Sequence, residues 1–253
     1  MAGRCTFKSG VLELHGYLAV PTARHATGTP AVVLCHSFRA GEGGAPSTAF
    51  THPQLADRIA QELGWVALSF TCRGAGESEG QFSLGGWLSD ILAAIGYVAG
   101  LPAVTGVWAA GFGTGGALCL CAGARDRRVK GVAVLGAPAD FEDWGGQPRR
   151  LLEHAREVGL VSDRSFPASF DAWVHDLRAI RPLHCVADYA PRPLLVVHGT
   201  DDDLVPDFDA RVIADAHGSA EMRILAGASH QLRDDPRSIA VLLGWLDRER
   251  HVS

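Results

Sequence analysis

The sequence predicts an α/β fold: a mostly parallel, twisted sheet of about eight strands with helices on both faces. Buried runs of β-branched and apolar residues alternate with segments whose apolar residues recur at helical spacing. This alternation is typical of parallel sheets covered on both faces. The chain has 253 residues, of which 47% are hydrophobic, so it is long enough for one large core. We therefore expect a single domain over residues 1–253.

Each predicted element follows from its local pattern of apolar and turn residues. We predict strands at residues 11–20 (an antiparallel edge arm), 31–35, 65–70, 107–110, 131–135, 194–198 and 222–225. We predict helices at residues 55–63, 87–98 and 236–248, the second of them beginning after Ser83. These strands and helices alternate along most of the chain, as the fold class requires.

Residues 138–190 depart from this alternation. They are polar with scattered aromatic residues, and helices are predicted at residues 149–158 and 168–180. We expect this segment to be a helical lid inserted into the sheet domain. Trp144, Phe170 and Trp173 are expected to line the mouth of a pocket, because aromatic residues in a polar segment need an apolar surface to cover.

Composition and charge argue against several classes of function. The net charge of −5 and the pI near 6.1 provide no basic stripe, so nucleic-acid binding is not expected. No apolar run approaches the length of a membrane span and no signal-peptide pattern is present, so a cytoplasmic protein is expected. The six cysteines lack framework spacing, and His154, His175 and His184 lack metal-ligand spacing. We expect reduced thiols, no metal and no cofactor.

The most informative motif is a strand-turn-helix segment whose turn reads Gly-Phe-Gly-Thr-Gly from Gly111. Its context is that of a nucleophile elbow of the G-x-S-x-G type, in which small residues let the helix pass close to the strand. Gly113 stands where the elbow carries its serine. Thr114 is a poor replacement, because that register would put Phe112 where only a small residue fits. The sequence thus predicts a nucleophile position without a nucleophile.

Two polar turns follow the elbow, in the order carboxylate then histidine. The first begins at His198 and reads His-Gly-Thr-Asp-Asp-Asp-Leu-Val-Pro, and the second, Gly-Ala-Ser-His, ends at His230. Together with the elbow, these turns resemble the alpha/beta-hydrolase superfamily over nearly the whole chain. The resemblance implies that Asp202 is the catalytic acid and His230 the base. Asp201 and Asp203 are the alternatives for the acid, and His198 is expected to be structural.

The resemblance also implies an oxyanion hole. One donor is the backbone N–H of Thr114, which follows the elbow apex at the positive end of a helix. The other is the N–H of Phe38, in a turn where Ser37 replaces the glycine that the superfamily usually has. The turn that contains Ser78 resembles an Arg-Gly-x-Gly-x-Ser motif with a structural role. Ser78 is therefore a weak candidate for a replacement nucleophile.

The glycines at positions 111, 113 and 116 also satisfy a dinucleotide-binding fingerprint between a strand and a helix. However, the following strand ends at Gly136 with no carboxylate to bind a ribose. The acid and histidine turns would also be coincidences under that interpretation. We therefore disfavour a nucleotide cofactor.

Three functional hypotheses remain for a pocket that accepts a small, partly apolar ester, lactone or amide-like molecule. In the first, Asp202 and His230 activate water directly, in the space left by the missing serine side chain. In the second, the protein is a pseudo-hydrolase that binds a ligand or a partner without turnover. In the third, an active serine hydrolase has been inactivated by an engineered change from serine to glycine. Further departures from the motifs, at Ser37, Cys72 and Ala75, favour natural divergence, and the oligomeric state stays open.

Overall fold

The computed structural model describes residues 2–22, 28–38 and 45–250. Eight strands in these residues form one sheet. They are β1 Gly3–Ser9, β2 Leu12–Ala19, β3 Thr29–Cys35, β4 Val66–Phe70, β5 Val104–Phe112, β6 Val129–Leu135, β7 Leu194–Gly199 and β8 Glu221–Leu225. Their order across the sheet is β1-β2-β4-β3-β5-β6-β7-β8, with β1/β2 and β2/β4 antiparallel and the other pairs parallel. The predicted fold class is confirmed.

Helices cover both faces of this sheet. They are α1 Ala45–Arg58, which continues as a π-helical turn Ile59–Leu63, α2 Leu84–Ala99, α3 Thr114–Arg125, α4 Glu142–Gly146, α5 Pro148–Glu157, α6 Phe170–Ala179, α7 Pro182–Tyr189, α8 Asp207–His217 and α9 Pro236–Glu249. On one face Val33 of β3 belongs to a buried cluster with Trp87 of α2, and on the other Val32 belongs to a cluster with Trp245 of α9. Because successive residues of a strand point to opposite faces, a strand covered on both sides is apolar throughout.

The ends of the elements differ from the predicted ones where the local pattern is weak. α2 begins after Ser83, as predicted, and the Ser83 Oγ accepts a hydrogen bond from the N–H of Gly86 (3.1 Å). α1 begins well before the helix predicted at residues 55–63. The sequence pattern does not predict β1, α7 or α8. β1 is an edge strand in which only Phe7 and Ser9 are buried, so it lacks the continuous apolar run of a central strand.

The segment predicted to be a lid, residues 138–190, contains four helices, α4 to α7. α7 packs against α3 and α8. Its last residue, Tyr189, is fully buried and donates its hydroxyl hydrogen to the Pro193 carbonyl oxygen (2.8 Å). The end of this segment therefore lies in the helical layer that covers the sheet. α4 and α5 contribute Trp144 and Leu151 to the cavity described below.

A buried ion pair holds the turn after β4. The Asp90 side chain is fully buried and accepts hydrogen bonds from the N–H of Arg73 (2.8 Å) and from its guanidinium (2.7 Å). In the same turn, the Ser78 Oγ donates to the Thr71 carbonyl oxygen (2.6 Å) and accepts from the N–H of His15 (2.9 Å). The Ser78 hydroxyl is thus engaged in holding the turn, which fits a structural role.

We predict that Asp90→Asn lowers the free energy of unfolding by about 3 kcal/mol, because it leaves the Arg73 guanidinium, only 20% exposed, without its charged partner. Urea denaturation would measure the change. Glu62→Gln is the control, since the Arg58–Glu62 ion pair is about half exposed and its loss should cost less than about 0.5 kcal/mol. Equal effects of the two substitutions would contradict the role given to Asp90.

Candidate active site

The candidate active site lies at the carboxyl ends of the parallel strands, next to β3 and β5. The chain passes from β3 to β4 on one side and then to β5 on the other, and in open α/β sheets ligands bind in the crevice at such a switch point. Loops that follow β3, β5 and β8 border one cavity there. They contribute Ser37, Phe38, Gly113, Thr114 and His230 to its wall.

The elbow apex at Gly113 has a backbone conformation that residues with a side chain rarely adopt. Its φ is 51° and its ψ is −125°, a sparsely populated combination that glycine enters freely. α3 begins at the next residue, and the N–H groups of Gly116 and Ala117 donate to the Gly113 carbonyl oxygen (2.9 and 3.2 Å). The segment is therefore a sharp strand-to-helix turn.

Two further glycines let α3 lie directly against the sheet. A Cβ at Gly111 would lie 2.5 Å from backbone atoms of Gly115, and a Cβ at Gly115 would lie 2.3 Å from the carbonyl oxygen of His36. Separations this short are not tolerated between non-bonded atoms, so both positions require glycine. This close packing of helix and strand explains the glycine spacing without a bound dinucleotide.

His230 and Asp202 form a hydrogen-bonded pair. The Nδ1 atom of His230 lies 2.9 Å from Oδ2 and 3.1 Å from Oδ1 of Asp202, whose side chain is fully buried. Because a carboxylate only accepts, Nδ1 carries the hydrogen and Nε2 of the neutral ring carries the lone pair. Nε2 lies 3.4 Å from the position that a Cβ at Gly113 would occupy. Nε2 of the imidazole therefore lies close to the elbow position, which is the arrangement that a general base at this site would need.

Asp202 has further partners within its own turn. Its Oδ1 accepts hydrogen bonds from the N–H groups of Leu204 and Val205 (3.0 and 2.8 Å), and its Oδ2 lies 3.2 Å from Nε2 of His198. Burial alone would raise the pKa of Asp202, but the hydrogen bonds from His198, His230 and Val205 outweigh it and hold the pKa well below its usual value. The carboxylate is therefore charged at neutral pH, and the stability it contributes is lost as acid protonates it.

His198 is a second histidine beside the same carboxylate. Its side chain is fully buried, and its Nε2 also lies 2.9 Å from the Val205 carbonyl oxygen. Burial would lower the pKa of His198, but the hydrogen bonds to Asp202 and Val205 produce a net rise. Asp201 and Asp203, the alternative acids, are exposed. Asp202 is thus the carboxylate that the structure pairs with His230.

His36 fixes the loop after β3. Its Nε2 accepts a hydrogen bond from the N–H of Cys72 (3.0 Å), so its Nδ1 carries the hydrogen and donates it to the Ser37 carbonyl oxygen (2.8 Å). Phe38 follows on the cavity wall, and Thr114 lies on the same wall at the start of α3. First-turn N–H groups of a helix have no partner within the helix. Both residues expected to form the oxyanion hole therefore border one cavity.

Ser37 occupies a position in the site that the sequence alone does not reveal. Its Oγ lies 2.3 Å, and its Cβ 3.1 Å, from the position that a Cβ at Gly113 would occupy. The space that a serine side chain would fill at the elbow is thus partly filled by the Ser37 hydroxyl, whereas the first hypothesis assigns that space to water. The sequence contains one indication of this, the serine that replaces a glycine in the turn after β3.

The cavity has a volume of about 310 Å³, which is at the small end of the range for ligand pockets. Its apolar wall is formed by Phe38, Phe141, Trp144, Leu151 and Leu204. Its carboxylates are Asp140, Asp143 and Asp209. No lysine or arginine is found among the described residues of the wall. The described part of the wall is therefore partly apolar and carries three carboxylates.

Only one of the three aromatic residues expected at the cavity, Trp144, lies on its wall. Trp173 is buried, its Nε1 donates to the Phe82 carbonyl oxygen (3.3 Å), and its ring stacks on Phe170 at a centroid distance of 6.0 Å. Neither Phe170 nor Trp173 belongs to the described part of the wall. The apolar surface that they cover lies within the lid and toward α2, and not at the cavity mouth.

Neither a metal site nor a membrane span is found in the part of the chain that the structure describes. These residues contain no group of three or more side chains that could hold a metal ion. None of their helices has the length and apolar character needed to cross a bilayer. All six cysteines lie in this part and are free.

Comparison with known proteins finds similar structures but no similar sequence family. No family model and no curated protein matches the chain. Est1E from Butyrivibrio proteoclasticus superposes with a TM-score of 0.73 and 20% identity, over 98% of this chain and 99% of that one. The alpha/beta hydrolase GrgF from Penicillium sp. sh18 superposes with a TM-score of 0.75 and 21% identity, over 99% of this chain and 98% of that one. The esterase domain of a Rhodothermus marinus protein superposes with a TM-score of 0.70 and 18% identity, over 99% of this chain and 98% of that one.

Each of these matches covers nearly the whole length of both chains. The superpositions establish the arrangement of the backbone. At identities near 20% they leave the substrate open. The mostly parallel eight-stranded sheet with helices on both faces agrees with these matches at the level of the fold. The chain therefore has the alpha/beta-hydrolase fold.

Proposed function

We propose that this protein hydrolyses a small, partly apolar carboxylic ester, or a related lactone or amide, with Asp202 and His230 as its general-base pair. One observation carries the proposal. The Nδ1 of His230 is bonded to the buried Asp202 carboxylate at 2.9 Å, and its Nε2 lies 3.4 Å from the position of a Cβ at Gly113. A base held in this orientation serves proton transfer at the elbow, and passive binding does not require it.

The remaining groups suit acyl transfer. Attack on an ester carbonyl develops negative charge on its oxygen. Thr114 and Phe38, whose backbone N–H groups are the expected donors to that oxygen, both border the cavity. Because the elbow has no hydroxyl of its own, the nucleophile that His230 deprotonates must be water or another hydroxyl group in the cavity. The acid keeps the imidazole in the tautomer that can accept this proton.

A binding protein without turnover is the second candidate, and the observation that favours it is the absence of a hydroxyl at Gly113. Such a protein would keep the cavity and would not need the base. Substitutions of the base and of the acid therefore separate the two functions.

We predict that His230→Ala and Asp202→Asn each lower kcat/KM for a chromogenic ester by about 10²–10⁴-fold, the usual contribution of general-base catalysis. The matched control is Asp203→Asn, which changes an exposed carboxylate in the same turn and should leave the rate within about twofold. Initial rates on 4-nitrophenyl butyrate would be compared for proteins of equal thermal stability. Unchanged activity in both site variants would favour the binding protein.

The charge of the cavity wall predicts a preference among substrates. Asp140, Asp143 and Asp209 should repel an acyl group that carries a carboxylate. We expect kcat/KM for 4-nitrophenyl butyrate to exceed that for 4-nitrophenyl hemisuccinate, an anionic ester of similar length, by at least about tenfold. Asp143→Asn should reduce the ratio of the two kcat/KM values. Equal rates on the two esters would show that these carboxylates do not face the acyl group.

The contact between Ser37 and position 113 predicts that substitutions at the two sites are coupled. Gly113→Ser alone should lower stability by about 1–3 kcal/mol, because a side chain at φ 51° and ψ −125° is strained and its Cβ would lie 2.3 Å from Ser37 Oγ. Adding Ser37→Gly removes that contact and should recover part of the loss. The double variant should also react with a fluorophosphonate at position 113, since its hydroxyl faces His230.

Urea denaturation and mass spectrometry of the labelled peptides would measure these effects in the wild type, both single variants and the double variant. If Gly113→Ser has the same stability and the same reactivity with either residue at position 37, then the Ser37 side chain does not occupy the elbow space.

A further inference from the structure

The geometry points to Ser37 as the nucleophile of this site, with its hydroxyl in place of the one missing from the elbow. This inference rests on the proposed function and names the hydroxyl group that the base activates. The Oγ of Ser37 and the Nε2 of His230 lie 2.3 and 3.4 Å from one point, the position of a Cβ at Gly113. A hydroxyl and the proposed base therefore both lie within 3.4 Å of the place where the side chain of an elbow serine would begin.

The backbone around Ser37 is held by contacts of His36. The Ser37 carbonyl oxygen accepts the Nδ1 hydrogen of His36 (2.8 Å), whose Nε2 in turn accepts the N–H of Cys72 (3.0 Å). The carbonyl oxygen of His36 lies against Gly115, where a Cβ would come within 2.3 Å of it. The loop after β3 is thus fixed to the turn after β4 and to the first turn of α3. A side chain on a loop held in this way has a defined position relative to Gly113.

Ser37 also adjoins the groups that stabilise an oxyanion. The N–H of the next residue, Phe38, is one expected donor, and the N–H of Thr114, which borders the same cavity, is the other. A carbonyl carbon attacked by the Ser37 Oγ would lie in the cavity that these two residues border. The nucleophile, the base and the oxyanion donors therefore surround one volume.

The reaction then has two balanced steps. The Ser37 Oγ attacks the carbonyl carbon while its proton passes to Nε2 of His230, and the carbonyl π electrons move to the oxygen. When the C=O bond re-forms, the bond to the leaving group breaks, and the alkoxide takes the proton from His230 to leave an ester on Ser37. Water then gives a proton to His230, attacks that ester and releases the acid, and the Ser37 oxygen recovers its proton. In unliganded enzymes the hydrogen bond between nucleophile and base is often long, and rotation about the Cα–Cβ bond of Ser37 moves its Oγ.

The test uses a neutral fluorophosphonate, which forms a covalent bond with an activated serine, on the whole protein. Labelled peptides would be identified by mass spectrometry in the wild type and in the Ser37→Ala, His230→Ala and Ser89→Ala variants. Ser89 is the matched control, because it is an exposed serine of α2 whose hydroxyl donates to the Gly85 carbonyl oxygen. Thermal denaturation would show that each variant is folded.

We expect a label on Ser37 in the wild type and in Ser89→Ala, at least about 10³-fold slower labelling in His230→Ala, and no label in Ser37→Ala. The rate of ester hydrolysis should fall by at least about 10³-fold in Ser37→Ala. If Ser37→Ala keeps its activity while His230→Ala loses it, the proposed function stands, the nucleophile is water, and the inference about Ser37 is wrong. A label on Ser229, beside the base, would also overturn it.

A cysteine at position 37 gives a test that needs no substrate. In Ser37→Cys, a base within reach of the thiol should speed its alkylation by iodoacetamide, because the thiolate is the reactive form. We expect alkylation at position 37 to be at least about tenfold faster in Ser37→Cys than in the variant that also carries His230→Ala. Equal rates would show that His230 does not act on this position, and the inference would fail even if the protein proved to be a hydrolase.

Discussion

The close approach of α3 to the sheet is the constraint on which the rest of the site depends. Gly111 and Gly115 meet with no room for a Cβ at either position, and Gly115 also lies against the carbonyl oxygen of His36. This contact brings the amino terminus of α3, the end of β5 and the loop after β3 together. A side chain at either glycine would push the helix outward. The N–H of Thr114 and the Ser37 hydroxyl would then no longer border the same cavity.

The second determinant is the buried Asp202 carboxylate, which connects the ends of β7 and β8. It accepts hydrogen bonds from two backbone N–H groups of its own turn and contacts His198 and His230. A buried carboxylate is stable only when its lone pairs are satisfied. The hydrogen-bond donors that keep it ionised also fix its direction, so His230 can present only one ring nitrogen to the cavity. The same contacts thus provide the electrostatics of the site and its geometry.

Ser37 and Gly113 have to be considered as a pair. The two side chains would compete for one volume, since a Cβ at position 113 would lie within 2.3 Å of Ser37 Oγ. With glycine at the elbow, that volume holds a hydroxyl from the loop after β3. A polar group therefore lies near His230 even though residue 113 has no side chain. This arrangement is more specific than the absence of one side chain, because the Ser37 side chain occupies part of the volume that a side chain at position 113 would need.

The sequence by itself determined the fold class, and it predicted the strand-to-helix turn at Gly113 and the pair of Asp202 and His230, which the structure brings together. Each depends on short-range patterns. These are apolar runs for strands such as β3, small residues at Gly111 and Gly115, and the polar turns that contain Asp202 and His230. Tertiary structure decided what these patterns do not encode. Phe170 and Trp173 pack within the lid because Phe82 and its neighbours supply an apolar surface there, and α7 joins the layer over the sheet.

The position of the Ser37 hydroxyl is the clearest case of a property that only the tertiary structure decided. Ser37 and Gly113 are distant in the chain, and their contact exists because β3 and β5 are neighbours, with Cys35 paired to Gly111. The relation between the serine at position 37 and the glycine at position 113 becomes visible only when both loops are placed in space. Local sequence patterns contain no information on such distances, because the packing of the whole sheet sets them.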